Sequence, residues 1–242
     1  MKYSIIIPIY NEENNIQQTI QKISTVLNKS KIIYEVIFVD DDSKDNSLKV
    51  FNRYRTKKTK FLVRKDKPRD LSKSVVYGFN RAKYDNFIVM DGDLQHSSID
   101  LIKLLSCFKT NSHDIVMGSR NMVNHKKVNL NPLRFHISNL LNTITNFLFD
   151  LKLKDPMSGF FIIKKKIYLK SKKKLFLIGY KILLDIIVSH STKLKIKEVY
   201  IDFKSRDKGF SKMRLKILLQ LIYFLIIKYL KLKLASKVKV NL

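Results

Sequence analysis

The sequence predicts an α/β fold: a mostly parallel, doubly wound sheet flanked by helices, followed by an apolar and basic C-terminal helix. Three observations predict it. Short runs rich in Ile, Val and Phe alternate with segments whose apolar residues fall at helical spacing. The strand-like runs are apolar throughout, as strands covered on both faces require. The chain has 242 residues, 45% of them hydrophobic, which suits one such domain with a short appendage.

Residues 4–9 open the sheet. The run around Ile5-Ile6-Ile7 is too short for the apolar core of a signal peptide and is stopped by Pro8, so it reads as a strand. An Asn/Glu turn at 11–15 leads into Ile16, Ile20, Ile23 and Leu27, one apolar helix face. Residues 36–39 form the second strand and end in Asp40-Asp41-Asp42-Ser43; Leu48 and Phe51 mark the helix after it. Residues 61–63 are a third strand. Residues 71–82 are a helix with Val75, Val76 and Phe79 inward. Residues 87–90 are a fourth strand, ending in Asp91-Gly92-Asp93. Residues 99–108 are helical and 114–117 a fifth strand.

The pattern then changes. Residues 121–132 are a polar, basic loop, 133–151 a helix, and 155–164 a turn followed by a short strand. Residues 180–190 form a helix with Ile182, Leu183, Ile186, Ile187 and His190 on one stripe, and 198–203 a last strand. Residues 215–230 are the most apolar stretch, with Lys212, Arg214, Lys216, Lys228, Lys231 and Lys233 around them and Gln220 within. A helix of that length reaches about 24 Å against a hydrocarbon core of about 30 Å. The expectation is a helix lying in the membrane interface with its lysines on anionic headgroups, rather than a span; a helix packed on the domain or on a partner is the alternative. The boundary is placed so that 1–212 are the α/β domain and 213–242 the membrane-associating segment.

The charge is +28, from 48 basic and 20 acidic residues, which favours anionic partners without choosing among nucleic acid, lipid and phosphorylated substrates. No nucleic-acid module with interleaved basic and aromatic residues is visible, so nucleic acid is not the expected partner. Cys107 is the single cysteine, which excludes a disulfide framework and a thiolate zinc site. Neither a GxGxxG nor a GxxxxGK[ST] phosphate loop occurs.

Two acidic clusters follow strand ends, where open α/β sheets bind ligands. Asp91, Asp93 and Gln95 alternate, and in an extended segment they point to one side. Two carboxylates and an amide oxygen make a hard, incomplete oxygen site for Mg²⁺ or Mn²⁺, with substrate phosphates completing it. Gly92 gives a diphosphate room to approach. His96 packs beside the site rather than ligating. Asp40, Asp41 and Asp42 repel one another unless donors or a cation meet them. Asp41 is the one expected to touch ligand, and a helix-capping role is the alternative.

Ser4–Glu12 (SIIIPIYNE), Val39–Ser47 (VDDDSKDNS), Arg69–Val75 with Tyr77-Gly78-Phe79, and Met90–His96 (MDGDLQH) occur in order. Asp114–Arg120 (DIVMGSR), Asp155–Phe161 (DPMSGFF), Gly179–Asp185 (GYKILLD) and Phe203 with Arg206, Gly209, Ser211 and Lys212 follow. This series resembles the inverting GT-A glycosyltransferases of family 2, in the branch of the dolichyl- or polyprenyl-phosphate mannose synthases. The resemblance implies a GT-A fold, a divalent metal and transfer from a nucleotide sugar, GDP-mannose being the commonest donor and UDP-glucose a variant, to dolichyl or polyprenyl phosphate. A saccharide hydroxyl as acceptor is the alternative. Carried over by position, Pro8, Tyr10, Glu12 and Asp41 line the nucleotide pocket and Asp91, Asp93 and Gln95 hold the metal. Arg120, Arg134, Ser138, Arg206 and Lys212 meet donor or acceptor phosphates, with Asp93, Arg120 and Arg206 the catalytic set. Asp42 and Asn46 depart from the family pattern, where Asn or Gly and Gly are usual. The four-helix membrane domain of some members does not follow, so anchoring falls to the tail or to a small membrane subunit, on the cytoplasmic face of the plasma membrane or endoplasmic reticulum.

Overall fold

The computed structural model describes residues 1–110, 112–120, 132–201 and 215–240; side chains at 98, 132–135, 215–217 and 235–240 are not described. The elements run β1 (Lys2–Ile9), α1 (Ile16–Lys29), β2 (Ile33–Asp40), α2 (Ser47–Tyr54), β3 (Thr59–Val63), α3 (Leu71–Phe79), β4 (Asn86–Val89), α4 (Ser98–Lys109) and β5 (Ile115–Arg120). Then come α5 (Pro132–Phe149), β6 (Phe161–Lys164), α6 (Lys165–Ser171), a 3₁₀ turn (Lys172–Lys174), α7 (Ile182–Ser189), β7 (Ile196–Ile201) and α8 (Leu215–Val240).

A strand forms at each expected place: β1, β3 and β5 are two residues longer than expected and β2 four, while the last, expected at 198–203, runs Ile196–Ile201, residues 202–203 lying outside the described residues. One seven-stranded sheet results, ordered β3-β2-β1-β4-β6-β5-β7. The pairs β1–β2, β2–β3, β1–β4 and β5–β7 are parallel, whereas β6 runs antiparallel to both β4 and β5. This is the expected mostly parallel sheet, and the reversed β6 matters for the site. Its amino end, preceded by residues 155–160, meets the carboxyl ends of the other strands.

Strand alternation divides the core in two. Ile5, Ile7 and Ile9 of β1 face α1 and α4 with Ile20, Ile23, Leu104 and Phe108. Ile6 of β1 faces the other side, where Val75 and Phe79 of α3, Tyr168 of α6 and Leu183 and Ile186 of α7 pack. Both faces are covered, which is why the strands carry no polar alternation. The short helix α6 was not expected. Only Ile167, Tyr168 and Ser171 of its seven residues are buried, and its lysines hide the amphipathic signal.

The C-terminal helix docks. Phe224 and Leu225 are buried against Leu184 of α7, with Phe176 edge-on to Phe224. Lys228, expected among the lysines that reach headgroups, is instead 2% exposed and buried in that contact. Among the described residues no helix is long and apolar enough to cross a membrane. Of the expected loop at 121–132, residues 121–131 lie outside the described residues and Pro132 begins α5.

Candidate active site

The strand order reverses between β1 and β4: the chain goes from β1 outward through β2 to β3, then returns to β4 on the other side. That switch point opens a crevice at the carboxyl edge. Pro8 and Tyr10 leave β1 there, Asp40–Asp42 leave β2, Arg64 leaves β3 and Asp91 leaves β4.

On the β2 side the three adjacent carboxylates each meet donors. Asp40 accepts from the backbone N–H of Ser43 at 3.0 Å and from its hydroxyl. Asp41 is buried; one oxygen accepts from the Arg64 guanidinium and the other from the backbone N–H of Asp70 at 2.8 Å. Asp42, at φ 63°, pairs with Lys67 at 2.6 Å, Lys44 at 3.4 Å and Arg69 at 3.5 Å. The hydrogen bond from Lys67 leads in lowering its pKa to about 2. None of the three caps a helix: the N-cap of α2 is Asn46. Burial raises the Asp40 and Asp70 pKa values above the ordinary range despite their hydrogen-bond donors.

The Arg69 guanidinium stacks over Tyr10 at 4.5 Å and donates to the carbonyl of Asp41 at 3.1 Å. Tyr10 thus forms a wall of the crevice, while Glu12 turns back into the β1–α1 loop, accepting from the Asn15 amide at 2.6 Å. Tyr180 stands close enough that, after burial, Asp70 and Asp41 are the next causes raising its pKa. Asp41, expected as a ligand contact, is therefore first the keystone of a network of Arg64, Asp70 and the 41–43 turn.

The Asp91–Gln95 loop is built otherwise than expected. Leu94 sits at φ 62°, so the segment is bent and the three side chains do not share a side by pleat alternation. The Asp93 carboxylate accepts from the Gln95 backbone N–H at 3.3 Å, and Gln95 is buried. Asp91 keeps about a third of its side chain exposed and meets His96 Nε2 at 3.3 Å. His96 stacks on Phe160 with ring centroids 4.5 Å apart, the packing role expected of it. A Cβ on Gly92 would lie 2.8 Å from Ile9 Cγ2, so that glycine is demanded by contact with β1 whatever a diphosphate needs.

The donor set suits a hard divalent cation in part. Asp91 and Asp93 supply carboxylates, and Gly159 keeps the space over Asp91 clear, since a Cβ there would stand 3.4 Å from Asp91 Oδ2. Among the described residues no three His, Cys, Asp or Glu side chains gather as a complete site. An ion held by two carboxylates depends on substrate phosphates for the rest of its shell.

Arg120 ends β5 and is clamped by Asp155, Nε to Oδ2 at 2.7 Å and Nη2 to Oδ1 at 2.9 Å. Burial opposes the Arg120 charge, but Asp155, and after it Asp91, outweigh burial and hold its pKa above the ordinary value. The same pairing, helped by Lys181, holds Asp155 below the usual carboxylate range against its burial. The expected phosphate-binding arginine is thus a half-buried side chain in a bidentate pair with the buried Asp155, and Asp91 feels its charge. Ser138 lies half-buried on α5; Arg134 is on the same helix, and its side chain is outside the described residues. Arg206 and Lys212 also lie outside them.

Arg64 and Lys181 were not singled out from the sequence. Arg64 follows directly on β3, at the edge where the acidic clusters sit, and that position was a usable signal. Lys181 donates to the carbonyl of Met157 at 3.1 Å, tying α7 to the 155–160 segment; only the fold brings them together.

With this geometry in hand, known proteins place the chain. The model for "Glycosyl transferase family 2" matches residues 4–171. A dolichol-phosphate mannosyltransferase of Pyrococcus furiosus is 34% identical over 222 residues, 91% of this chain and 61% of that protein's length. One from Mycosarcoma maydis is 31% identical over 92% of this chain and 77% of its own. Glucosyl-3-phosphoglycerate synthase from Mycobacterium tuberculosis, solved with Mn²⁺, UDP-glucose and phosphoglyceric acid, superposes with a TM-score of 0.72 over 94% of this chain and 79% of that one. At 15% identity it attests the shared fold.

Proposed function

The chain belongs to glycosyl transferase family 2, and from that membership we propose that it moves a hexose from a nucleoside-diphosphate sugar onto the phosphate of a polyprenol at a membrane surface. The observation that carries the lipid acceptor is a doubled apolar face. On α8, Leu219, Ile222, Tyr223, Ile226, Leu230 and Leu234 are exposed at three- and four-residue spacing. On α5, which touches α8, Leu140, Ile144 and Phe147 do the same, Phe147 being 85% exposed. Exposed Lys231 and Lys233 flank the stripe on α8. Two touching helices with apolar outer stripes and basic flanks suit the headgroup boundary of an anionic membrane.

The chemistry follows from the acceptor. A phosphate monoester has its second pKa near 6 and is largely a dianion at neutral pH, already a nucleophile without a general base. The protein has to position it in line behind the anomeric carbon, which inverts that carbon. Asp91 and Asp93 would hold a divalent cation; when bound, it offsets charge on the departing diphosphate. The Arg64–Asp41–Asp70 network fixes the wall against which the nucleoside rests, with Tyr10 and Arg69 as its stacked face. The Arg120–Asp155 pair sets a positive charge beside Asp91, where two anions must meet.

The donor class in this reading is a nucleoside-diphosphate hexose. GDP-mannose and UDP-glucose are the two arms of its test, because the relatives in sequence are named for mannose and the neighbour in fold was solved with UDP-glucose. Purified chain with vesicles carrying a polyprenyl phosphate receives each labelled donor with Mg²⁺, Mn²⁺ or chelator. The expected result is label in the lipid extract from one donor, abolished by chelator. Transfer to free saccharides with none to the lipid overturns the acceptor; full turnover in chelator overturns the metal.

A further inference from the structure

A buried ammonium on the C-terminal helix is wired to the proposed donor pocket. Lys228 Nζ spends its three donors inside the protein: on Asp185 Oδ1 at 2.7 Å, Ser189 Oγ at 2.6 Å and the carbonyl of Lys174 at 2.8 Å. Lys228 and Asp185 side chains are each 3% exposed. Asp185 turns its other oxygen to the turn after the 3₁₀ segment, accepting from the backbone N–H of Phe176 at 2.7 Å and of Leu177 at 3.1 Å.

That turn is conformationally demanding. Leu177 has φ 53° and Gly179 φ 77°, left-handed values that a leucine adopts only when its surroundings impose them. The far end of the turn grips the donor side. The Gly179 N–H donates to Asp70 Oδ2 at 2.5 Å, and the Gly179 carbonyl accepts from the Ser72 hydroxyl at 2.7 Å and N–H at 3.1 Å. Asp70 is the N-cap of α3, and its own N–H donates to Asp41. The path from α8 to the crevice is therefore continuous: Lys228, Asp185, the 176–179 turn, Asp70, Asp41.

We propose that Lys228 is a positioning residue for the donor pocket, acting through Asp185 and the 176–179 turn on Asp70 and Asp41. The role rests on the reading of the Asp41 crevice as the nucleotide site. It has a physical basis beyond adjacency. A buried ion pair with one partner removed leaves an uncompensated charge, and Asp185 would then have to move or take a proton. Its two backbone donors hold a turn in a costly conformation, so a shifted Asp185 releases the turn, and with it the cap of α3. Docking of α8 is already supplied by the apolar contacts of Phe224 and Leu225, whereas Lys228 is bonded to the carboxylate that holds the turn.

The test uses the full chain with Lys228→Met, and with Lys228→Met plus Asp185→Asn, which removes both charges so that no buried ion stands alone and folding is preserved. Two readouts are taken on folded protein: affinity for GDP and for UDP by calorimetry, and amide hydrogen exchange. The single variant is expected to bind its nucleotide about tenfold more weakly. Amides at 176–179 and 70–73 should exchange faster, and those of β1 and β2 should not change. The double variant should show the same changes, smaller. Wild-type affinity and wild-type exchange at 70–73 in either folded variant would overturn the proposal. If the unmodified chain binds neither nucleotide, the donor-site reading fails by itself. The exchange comparison still decides: faster exchange at 70–73 in the variants keeps the mechanical link, and unchanged exchange removes it.

Discussion

The two sides of the crevice are built on opposite principles. On the β2–β3 side each carboxylate is answered by the protein itself: Ser43 for Asp40, Arg64 and the Asp70 N–H for Asp41, three basic side chains for Asp42. On the β4 side the loop bends at Leu94, and Asp91 stays a third exposed under the clearing left by Gly159. A fully answered network is rigid and holds a shape; a carboxylate left a third exposed stays within reach of substrate and ion. Stability is thus expected to reside in the first and turnover in the second, and substitutions should separate them.

The largest effect is expected at Asp93. Asp93→Ala should lower turnover by a factor on the order of 10³ and cost less melting temperature than Asp41→Ala, because it removes one acceptor of the Gln95 N–H rather than one half of a buried ion pair. Initial rates with saturating donor, beside a thermal melt of the same sample, make the check. Retention of a tenth or more of the rate would break the division at once.

Asp41→Ala should invert that pattern. It strands the 2%-exposed Arg64 and removes the acceptor of the Asp70 N–H, at a cost of about 3–5 kcal/mol of stability. Urea unfolding measures it; a loss below about 1 kcal/mol would mean that Asp41 is an ordinary contact residue rather than a keystone.

Arg120 tests whether the division is strict, since its side chain belongs to both kinds. Arg120→Leu should cost stability, because Asp155 is left buried and unpaired. Arg120→Leu with Asp155→Leu should recover most of that stability without recovering turnover. Recovered turnover in the double variant would reduce the pair to scaffolding.

The sequence carried the first kind of region well and the second poorly, for physical reasons. Strands β1, β2, β4 and β5 announced themselves because both sheet faces are covered and apolar runs have no other use. The adjacency of Asp40, Asp41 and Asp42 itself demanded donors, and donors are there. Nothing in Asp-Gly-Asp-Leu-Gln marks Leu94 for a left-handed backbone, a conformation that sequence usually signals with Gly or Asn, so pleat alternation was the natural and mistaken inference. Lys228 misled for a related reason. In a chain with 48 basic residues, one lysine beside an apolar stretch reads as a headgroup contact. The contrary signal was the lone acidic residue Asp185 within an otherwise apolar helix, four residues before Ser189, which needed a cation from somewhere.

The smallest expected effect is one of sign. Asp40 and Asp70 have pKa values raised by burial, so on acidification the folded state takes up their protons before the unfolded state does, and unfolding free energy rises slightly as pH falls toward the ordinary carboxylate value. Asp155 is held low by Arg120 against its burial, so its contribution is complete above the ordinary value and is lost as pH drops below it, where the unfolded chain binds the proton first. Unfolding free energy measured by urea from pH 6 to pH 3 should therefore pass through a shallow maximum. Asp155→Asn should remove part of the acid-side fall, and Asp70→Asn part of the rise, each judged by slope because both variants start from lower stability. A fall in place of the rise as pH approaches the ordinary carboxylate value, removed by Asp70→Asn, would mean that the β2–β3 network depends on the charge of Asp70. That side of the crevice would then be held by ionic attraction, as Arg120 and Asp155 are, and the contrast between the two sides would lie only in how far each is exposed.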